Sequence, residues 1–378
     1  MIKNPFTKKN SSYSDDVISI LRLIRSENIG IRTFYNVLKY YGSAQIALEN
    51  IPHFMARIGK IKYQIFSLSE AEKEIELMEK DGAKFLTFNN VSYSKLLNQI
   101  EDVPPIISYK GDIKLLNTTC IAMVGARNCS ISGKDITAKI AKNLTTAGVT
   151  IVSGLARGID ATAHEFSIPN TIAVIAGGID HIYPPENHKL YKKIIDTGLL
   201  IAELPIGSVP LARHFPQRNR IISGLSVATI IVEAGLNSGS LITAKFALEQ
   251  NREIFVIPGF PLDPRYKGSN KLIKDGANLL ESADDVIEFL NKESFNIIKE
   301  DKNLSSSTLP IYKKVDYELL TDKNRKIVKT NLSAHPVNIE EIAIHSDLPM
   351  QIVLTILLEL ELEGMITYHP GNKVTLKF

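Results

Sequence analysis

Only two of the 378 residues are cysteine, Cys120 and Cys129. That is too few for the disulfide framework on which small secreted domains rely, and it points to a reducing compartment. Long apolar runs are missing as well. The longest, such as Leu199–Ala202 and Thr229–Val232, fall far short of the ~20 residues that a membrane-spanning helix needs. The first twelve residues are rich in Lys and Asn and hold no apolar segment of the secretory kind, so no secretion signal is expected. Neither sign of charge dominates: 44 Lys and Arg stand against 41 Asp and Glu, a net +3. Any attraction for a polyanion must come from a local concentration of cations. The remainder is an ordinary globular mixture, 44% hydrophobic and 22% charged, long enough for two or three domains. Membrane, secreted and disordered classes are excluded on these grounds, and a cytoplasmic location is expected.

Three textures follow one another. Residues 13–105 read as helical. Val17, Ile18, Ile20, Leu21, Leu23 and Ile24 recur near the 3.6-residue period, and Phe34, Val37, Leu38 and Tyr41 form a second apolar face. Gly30, Gly42, Pro52 and Gly59 punctuate them. Short helices joined by Ile-Gly turns suit a SAM-like or helix-hairpin-helix bundle. Up to Lys60 there are nine basic residues against four acidic ones, and a hairpin turn of that type offers backbone N–H groups to phosphate. A plain packing bundle is the stronger expectation.

Residues 106–290 alternate short apolar runs with amphipathic stretches. Strands are expected at Cys120–Gly125, Thr150–Ser153, Thr171–Ala176, Leu199–Leu204, Val227–Glu233 and Glu253–Ile257, with helices at Lys134–Ala147, Gly158–Ser167, Asn187–Thr197, Asn219–Leu225 and Leu241–Asn251. That alternation means βαβ units, a parallel sheet and an α/β Rossmann-like fold. Residues 291–320 are polar, include Ser305-Ser306-Ser307, and read as a linker. Residues 321–378 give three helices (Asn324–Leu332, Ile339–Ser346, Met350–Glu363) and a hairpin (Met365–Tyr368, Lys373–Lys377), the order of a winged helix. Winged helices often bind DNA, but this one has six basic and seven acidic residues, with Glu359, Glu361 and Glu363 on the helix that would enter a groove. Those charges have the wrong sign for phosphate, so a protein-contact or regulatory module is expected.

In an open parallel sheet, ligands sit beyond the carboxyl ends of the strands. Five loops there repay attention: Gly125-Ala126-Arg127-Asn128, Ser153 to Asp160, Gly177 to Asp180, Arg213 to Arg220, and Glu233 through Ser238-Gly239-Ser240 and Thr243. Glycines let backbone approach an anion, helix N-termini aim N–H groups at it, and arginine adds a two-pronged donor. Arg127, Arg157 and Arg213, with Arg218 and Arg220, exceed the needs of one mononucleotide. Phe215 among them suits base stacking or, equally, a plug in the core. Arg218 is the better candidate of its pair for phosphate contact, and Arg220 for tying loops through Glu233 or Asp180.

Other chemistries lack their residues. After Gly125 the next glycine is Gly133, so there is no G-x-G-x-x-G, and no acid ends the second strand to hold a ribose. No Gly-Lys-Ser/Thr marks a Walker loop, and no clustered His and Cys offer a zinc site. No cofactor and no metal are expected. Asp160 and His164, four apart on one helix face, are an acid/base candidate. The structural alternative is stronger: Asp160 in a first helical turn with His164 as its partner. Glu233 is expected to orient Arg218 or Arg220, or to cap the Ser238 loop.

The sequence resembles the DprA (Smf) family of DNA-processing proteins, densely over about residues 120–290. The stretches that carry the resemblance are Ser153-Gly-Leu-Ala-Arg-Gly-Ile-Asp160 with Ala163-His164, Gly178-Ile-Asp180 with Tyr183-Pro184, Phe215-Pro-Gln-Arg-Asn-Arg-Ile-Ile-Ser-Gly-Leu225, and Glu233-Ala234 with Ser238-Gly-Ser240 and Thr243-Ala244. The resemblance implies a SAM-like domain, an extended Rossmann fold and a winged helix. It also implies a non-enzymatic protein that binds single-stranded DNA, protects it during natural transformation and loads the recombinase RecA, as a homodimer through the Rossmann domain. Gly125, Arg127, Ser153, Gly154, Arg157, Gly158, Phe215, Arg218 and Asn219 fall in the matching pocket stretches. Arg213, Ser238, Gly239 and Ser240 join them as candidate DNA-binding residues, with Asp160, His164, Arg220 and Glu233 as loop-orienting ones. Two departures stand out. Ala126 replaces the serine of a Gly-Ser-Arg loop, and Ile131-Ser132-Gly133 replaces a Tyr-Gly pair. The alternative is a nucleotide phosphoribohydrolase of the lysine-decarboxylase-like type, which also uses Gly-rich loops near a glutamate. Its Pro-Gly-Gly is absent where Leu236-Asn237-Ser238-Gly239-Ser240 stands.

Overall fold

The computed structural model describes residues 13–57, 64–300, 320–369 and 371–377. The chain divides into two compact units, one built from its two ends (residues 1–72 and 306–378) and one from residues 73–305.

The first unit opens with α1 (Asp15–Arg25), α2 (Ile31–Tyr41) and α3 (Ala44–Arg57). Ser14 caps α1, Asp15 and Asp16 lie in its first turn and Arg22 and Arg25 in its last, as the helix dipole favours. Helix α4 (Leu68–Lys80) carries the chain into the second unit.

The second unit is a nine-stranded sheet. Its strands are β1 (Lys84–Thr87), β2 (Ile106–Gly111), β3 (Cys120–Gly125), β4 (Thr150–Ser153), β5 (Thr171–Ile175), β6 (Leu199–Ala202), β7 (Ala228–Val232), β8 (Glu253–Val256) and β9 (Asn278–Leu279). They lie in the order β1-β2-β6-β5-β4-β3-β7-β8-β9. From β6 to β9 every pair is parallel; β2 runs antiparallel to both β1 and β6. The connecting helices are α5 (Ile131–Thr146), α6 (Ile159–Ser167), α7 (His188–Thr197), α8 (His214–Gly224), α9 (Gly239–Glu249), α10 (Lys267–Lys274) and α11 (Ala283–Glu300). Strands β5 and β7 are buried at every residue, which is why they read as unbroken apolar runs rather than alternating ones. Ile121, Met123, Ile151 and Ile230 pack beneath α5 and α6 with Ile140, Leu144 and Ala163.

Several boundaries differ from the sequence expectation. The helical N-terminal unit ends near Glu72 rather than at residue 105, and Lys84–Thr87, four residues too short to show a period, joins the sheet edge. Helix α8 starts at His214, not near Asn219. Pro216 falls in its first turn, where a missing N–H costs nothing. Helix α11 runs through residues 291–300, the first ten of the expected linker; residues 301–319 of that segment lie outside the described residues.

The first unit is completed by α12 (Asp322–Thr330), β10 (Val337–Asn338), α13 (Ile339–Ser346), α14 (Met350–Leu362), β11 (Ile366–His369) and β12 (Lys373–Leu376), a winged helix around Val328, Ile342, Val353, Leu357 and Val374. The glutamates of its last helix are all engaged. Glu359 and Glu363 pair with Arg325. Glu361 accepts from Thr33 Oγ1 at 2.8 Å and Asn36 Nδ2 at 3.4 Å on α2, and burial pushes its carboxyl pKa up. Arg32 lies 5.1 Å from the Tyr368 ring. Among the described residues, no single helix is long and apolar enough to cross a membrane.

Candidate nucleic-acid interface

The loops after β3, β4 and β5 and the start of α8 enclose a cavity of about 240 Å³. Its walls are Arg127 and Asn128 from the first loop and Gly154, Ala156 and Arg157 from the second. The third contributes Ile175 to Gly177, His181, Tyr183 and Pro184, and Pro210, Phe215 and Arg218 close it. That is below the roughly 300–1,000 Å³ of ordinary small-molecule sites, a size suited to one base or phosphate group rather than a dinucleotide.

The floor is a buried ion network. Arg218 is 7% exposed; its Nη1 donates to the carbonyls of Gly154 and Val174, each at 2.5 Å, and its Nε to Asn219 Oδ1 at 3.0 Å. The guanidinium fits because residue 154 has no side chain: a Cβ there would lie 2.5 Å from Arg218 Nη1. Asp160 faces Arg218 and the backbone N–H groups of Ala156, Gly154 and Gly125. Burial outweighs these partners and raises its carboxyl pKa, and burial lowers Arg218 to about 10. Two residues before Asp160, Gly158 has φ +75° and sits against the carbonyls of Ala126 and Arg127, so only glycine lets the first and second loops touch there.

His164 is fully buried. Its Nδ1 meets the Thr171 hydroxyl at 2.7 Å, Thr171 donates to the Ile151 carbonyl at 3.0 Å, and its Nε2 accepts from the Leu155 N–H at 3.3 Å. With the Thr171 hydrogen already given away, the imidazole is neutral with its proton on Nδ1. Burial, then the charge of Arg218, push its pKa down to about 3. The expected Asp160–His164 pairing does not form: each binds backbone of the second loop instead. As a general acid/base couple they are unsuited, since each is locked inward.

Above this floor lie the cations and rings. Arg127 is exposed, and its guanidinium stands 5.2 Å over the Phe215 ring. Among the described residues no carboxylate lies within ion-pair distance of it. Tyr183 meets Phe215 edge-on, centroids 5.6 Å apart at 62°. Phe215 is therefore a half-exposed wall of the cavity, not a core plug. Arg157 lies on the rim, 58% exposed and paired with Glu186 at 2.5 Å. Asn187 Nδ2 donates to the Leu155 and Ala156 carbonyls and steadies the second loop, where Leu155 holds a left-handed φ of +54°.

Other expected residues are placed differently. Ser153 is buried and donates to the Met123 carbonyl at 2.6 Å, a clamp between β4 and β3 rather than a phosphate donor. Asn219 is spent on Arg218 and the Gly239 carbonyl. Arg220 ties to Asp102 and Glu203, not to Glu233 or Asp180; Asp180 accepts from the Gly207 N–H. Arg213 is exposed on the turn before α8 but does not line the cavity, nor do Ser238, Gly239 and Ser240, where Ser238 caps α9. Glu233 holds Ser130 and Tyr266, and touches neither arginine nor the Ser238 loop. Sequence reasoning missed Asn128, His181, Tyr183 and Pro210 as walls. Tyr183-Pro184 was visible as a motif, but its function depends on a loop folding back toward α8.

The chain matches three family models in succession: a DprA-like N-terminal HHH domain over residues 14–76, DNA recombination-mediator protein A over 84–291, and a DprA winged helix domain over 317–372. It is 44% identical over 213 residues to DNA processing protein DprA of Bacillus subtilis, covering 55% of this chain and 72% of that protein. To Protein Smf of Escherichia coli it is 33% identical over 320 residues, covering 84% and 83%. Two solved structures align with 32% identity. The X-ray structure of DNA processing protein A from Streptococcus pneumoniae has a TM-score of 0.58, over 73% of this chain and 98% of that one. The Helicobacter pylori protein, solved for its single-stranded DNA binding mode, has a TM-score of 0.52, over 56% and 97%.

Proposed function

The chain belongs to the DNA recombination-mediator protein A family, and from that premise we propose that it binds single-stranded DNA along the carboxyl edge of its parallel sheet, without catalysing a reaction on it. The observation that carries this is Arg127, an exposed guanidinium with no carboxylate partner among the described residues, stacked over Phe215 at the mouth of a base-sized cavity. The cation meets a phosphate, and the ring, edged by Tyr183, offers a face to a base, a contact worth ~1–3 kcal/mol in such proteins. Arg218 acts from below: being buried on carbonyls and Asp160, it stiffens the second loop and adds positive potential to the cavity.

The absence of catalysis is supported by the inward-locked Asp160 and His164. The phosphoribohydrolase alternative is disfavoured because Glu233, the glutamate it would require, is buried away from the cavity on Ser130 and Tyr266. A role in transformation and recombination follows the family, with protection of the strand, RecA as the protein partner and a homodimer through the sheet unit as its finer content. The winged helix, its glutamates engaged on Arg325, Thr33 and Asn36, serves as a protein-contact element in this reading.

Fluorescence anisotropy with a labelled oligothymidine tests the central claim. Affinity is expected to fall with salt, each neutralised phosphate adding about 0.7 to the log–log slope. Arg127→Ala should weaken binding and lower that slope by about one phosphate. Unchanged affinity and slope would overturn the proposal.

A further inference from the structure

The strand order places the topological switch of the sheet between β3 and β7. From β3 the chain steps outward through β4, β5 and β6, then returns to the opposite side of β3 with β7. In open α/β sheets the crevice at that point, at the N-terminus of the helix that follows the first strand, is where a nucleotide's phosphate sits. Here the place is taken by the protein itself. Glu233, the residue after β7, is fully buried. Its carboxylate accepts from the Ser130 N–H at 2.8 Å, from the Ser130 hydroxyl, and from the Tyr266 hydroxyl at 2.8 Å. Ser130 is the N-cap of α5, and a Cβ on Gly133 in the first turn of that helix would lie 2.5 Å from Glu233 Oε1. The carboxylate thus presses on the helix end. The backbone is bent to bring it there, with Glu233 at φ +51°, a region non-glycine residues enter at a cost.

We propose that Glu233 is a built-in anion that fills the phosphate seat at the β3/β7 switch point and so excludes mononucleotides and dinucleotides from it. The helix dipole and cap donors that would hold a phosphate hold this carboxylate instead. The ligand's phosphates are thereby directed to the neighbouring loops after β4 and β5, beside Arg127 and Arg157. Glu233 also ties down the far end of the loop that carries Arg127. It holds the first loop at Ser130, while the Ala126 N–H donates to the Val232 carbonyl at 3.2 Å at the other end. Only the path of the phosphates rests on the strand-binding reading; the filled seat does not.

The test compares the wild type with Glu233→Gly, which suits the left-handed backbone and opens the seat, and Glu233→Gln, which keeps it filled without charge. The probe is inorganic phosphate, titrated against chloride at constant ionic strength and read by thermal shift and phosphorus NMR. Glu233→Gly is expected to bind phosphate about tenfold or more tighter than the wild type, and to keep that gain when Arg127→Ala is added. Glu233→Gln should show none. If Glu233→Gly unfolds in chloride, refolding by phosphate but not by chloride counts as the same gain. A phosphate response equal to wild type, a gain lost with Arg127→Ala, or an equal gain in Glu233→Gln would each overturn the proposal. Oligothymidine binding is measured alongside: its absence in the wild type would sink the strand-binding reading and leave the filled seat standing.

Discussion

Replacing His164 by glutamine should make the sheet unit less sensitive to acid. The folded imidazole titrates near 3, against an ordinary value of 6.5. A pKa depressed on folding contributes stability that is fully present above the unfolded value and lost as pH falls toward the folded one. The window is therefore pH 6.5 down to about 3, with a slope of at most about 1.4 kcal/mol per pH unit. Between pH 7.5 and 5.0 the imidazole should take away about 2 kcal/mol. His164→Gln removes the titration while keeping a polar side chain, so the advantage of wild type over variant should shrink by about that amount across the interval. Asp160, whose pKa is raised, acts in the opposite sense, but it is common to both proteins and drops out of the difference. Hydrogen-exchange mass spectrometry on peptides spanning β4, α6 and β5 reads the local opening free energy at each pH. Parallel pH profiles would refute the reasoning, because they would mean that the imidazole is charged or hydrated in the folded protein.

Three further expectations follow from the same geometry. Phe215→Ala should weaken oligothymidine binding by about 1–3 kcal/mol in anisotropy titrations while leaving the salt slope unchanged, since no cation is removed. Arg157→Ala should cost less affinity than Arg127→Ala, because Arg157 is already paired with Glu186, and Glu186→Ala should tighten binding slightly in the same assay. Arg218→Met should lower stability by about 3–5 kcal/mol in urea unfolding, the usual cost of leaving a buried charge uncompensated. Adding Asp160→Asn should recover part of that loss.

The alternation of apolar runs and helices from Cys120 to Ile257 was legible because parallel strands buried on both faces leave unbroken hydrophobic segments in the sequence. The short edge strands Lys84–Thr87 and Asn278–Leu279 were not, since two to four residues show no period. In the site, Arg127, Arg157 and Phe215 lie where the loop logic put them, because their chemistry is exposed and local. Ser153, Asn219, Arg220 and Glu233 were assigned other partners. Sequence order says which loop a side chain leaves from but not which way it turns, and partners such as Met123 on β3, Gly239 at the start of α9, Asp102 and Tyr266 come from distant segments that only the folded sheet brings near. The expected Asp160–His164 pairing is absent for the same reason: the four-residue spacing on α6 is real, but each side chain finds a nearer partner in the second loop.

The unit formed by the two ends of the chain has a bearing on synthesis. Thr33 and Asn36 meet Glu361 across more than three hundred intervening residues. Emerging vectorially from a ribosome, helices α1 to α3 must wait, their α2 surface bare, until the whole sheet and then the winged helix have been translated. Contacts of such separation close slowly, and an early-made, late-satisfied surface is open to chaperones meanwhile. Ribosome stalling before Glu361 should therefore leave the amino-terminal helices more open to protease than in the finished chain.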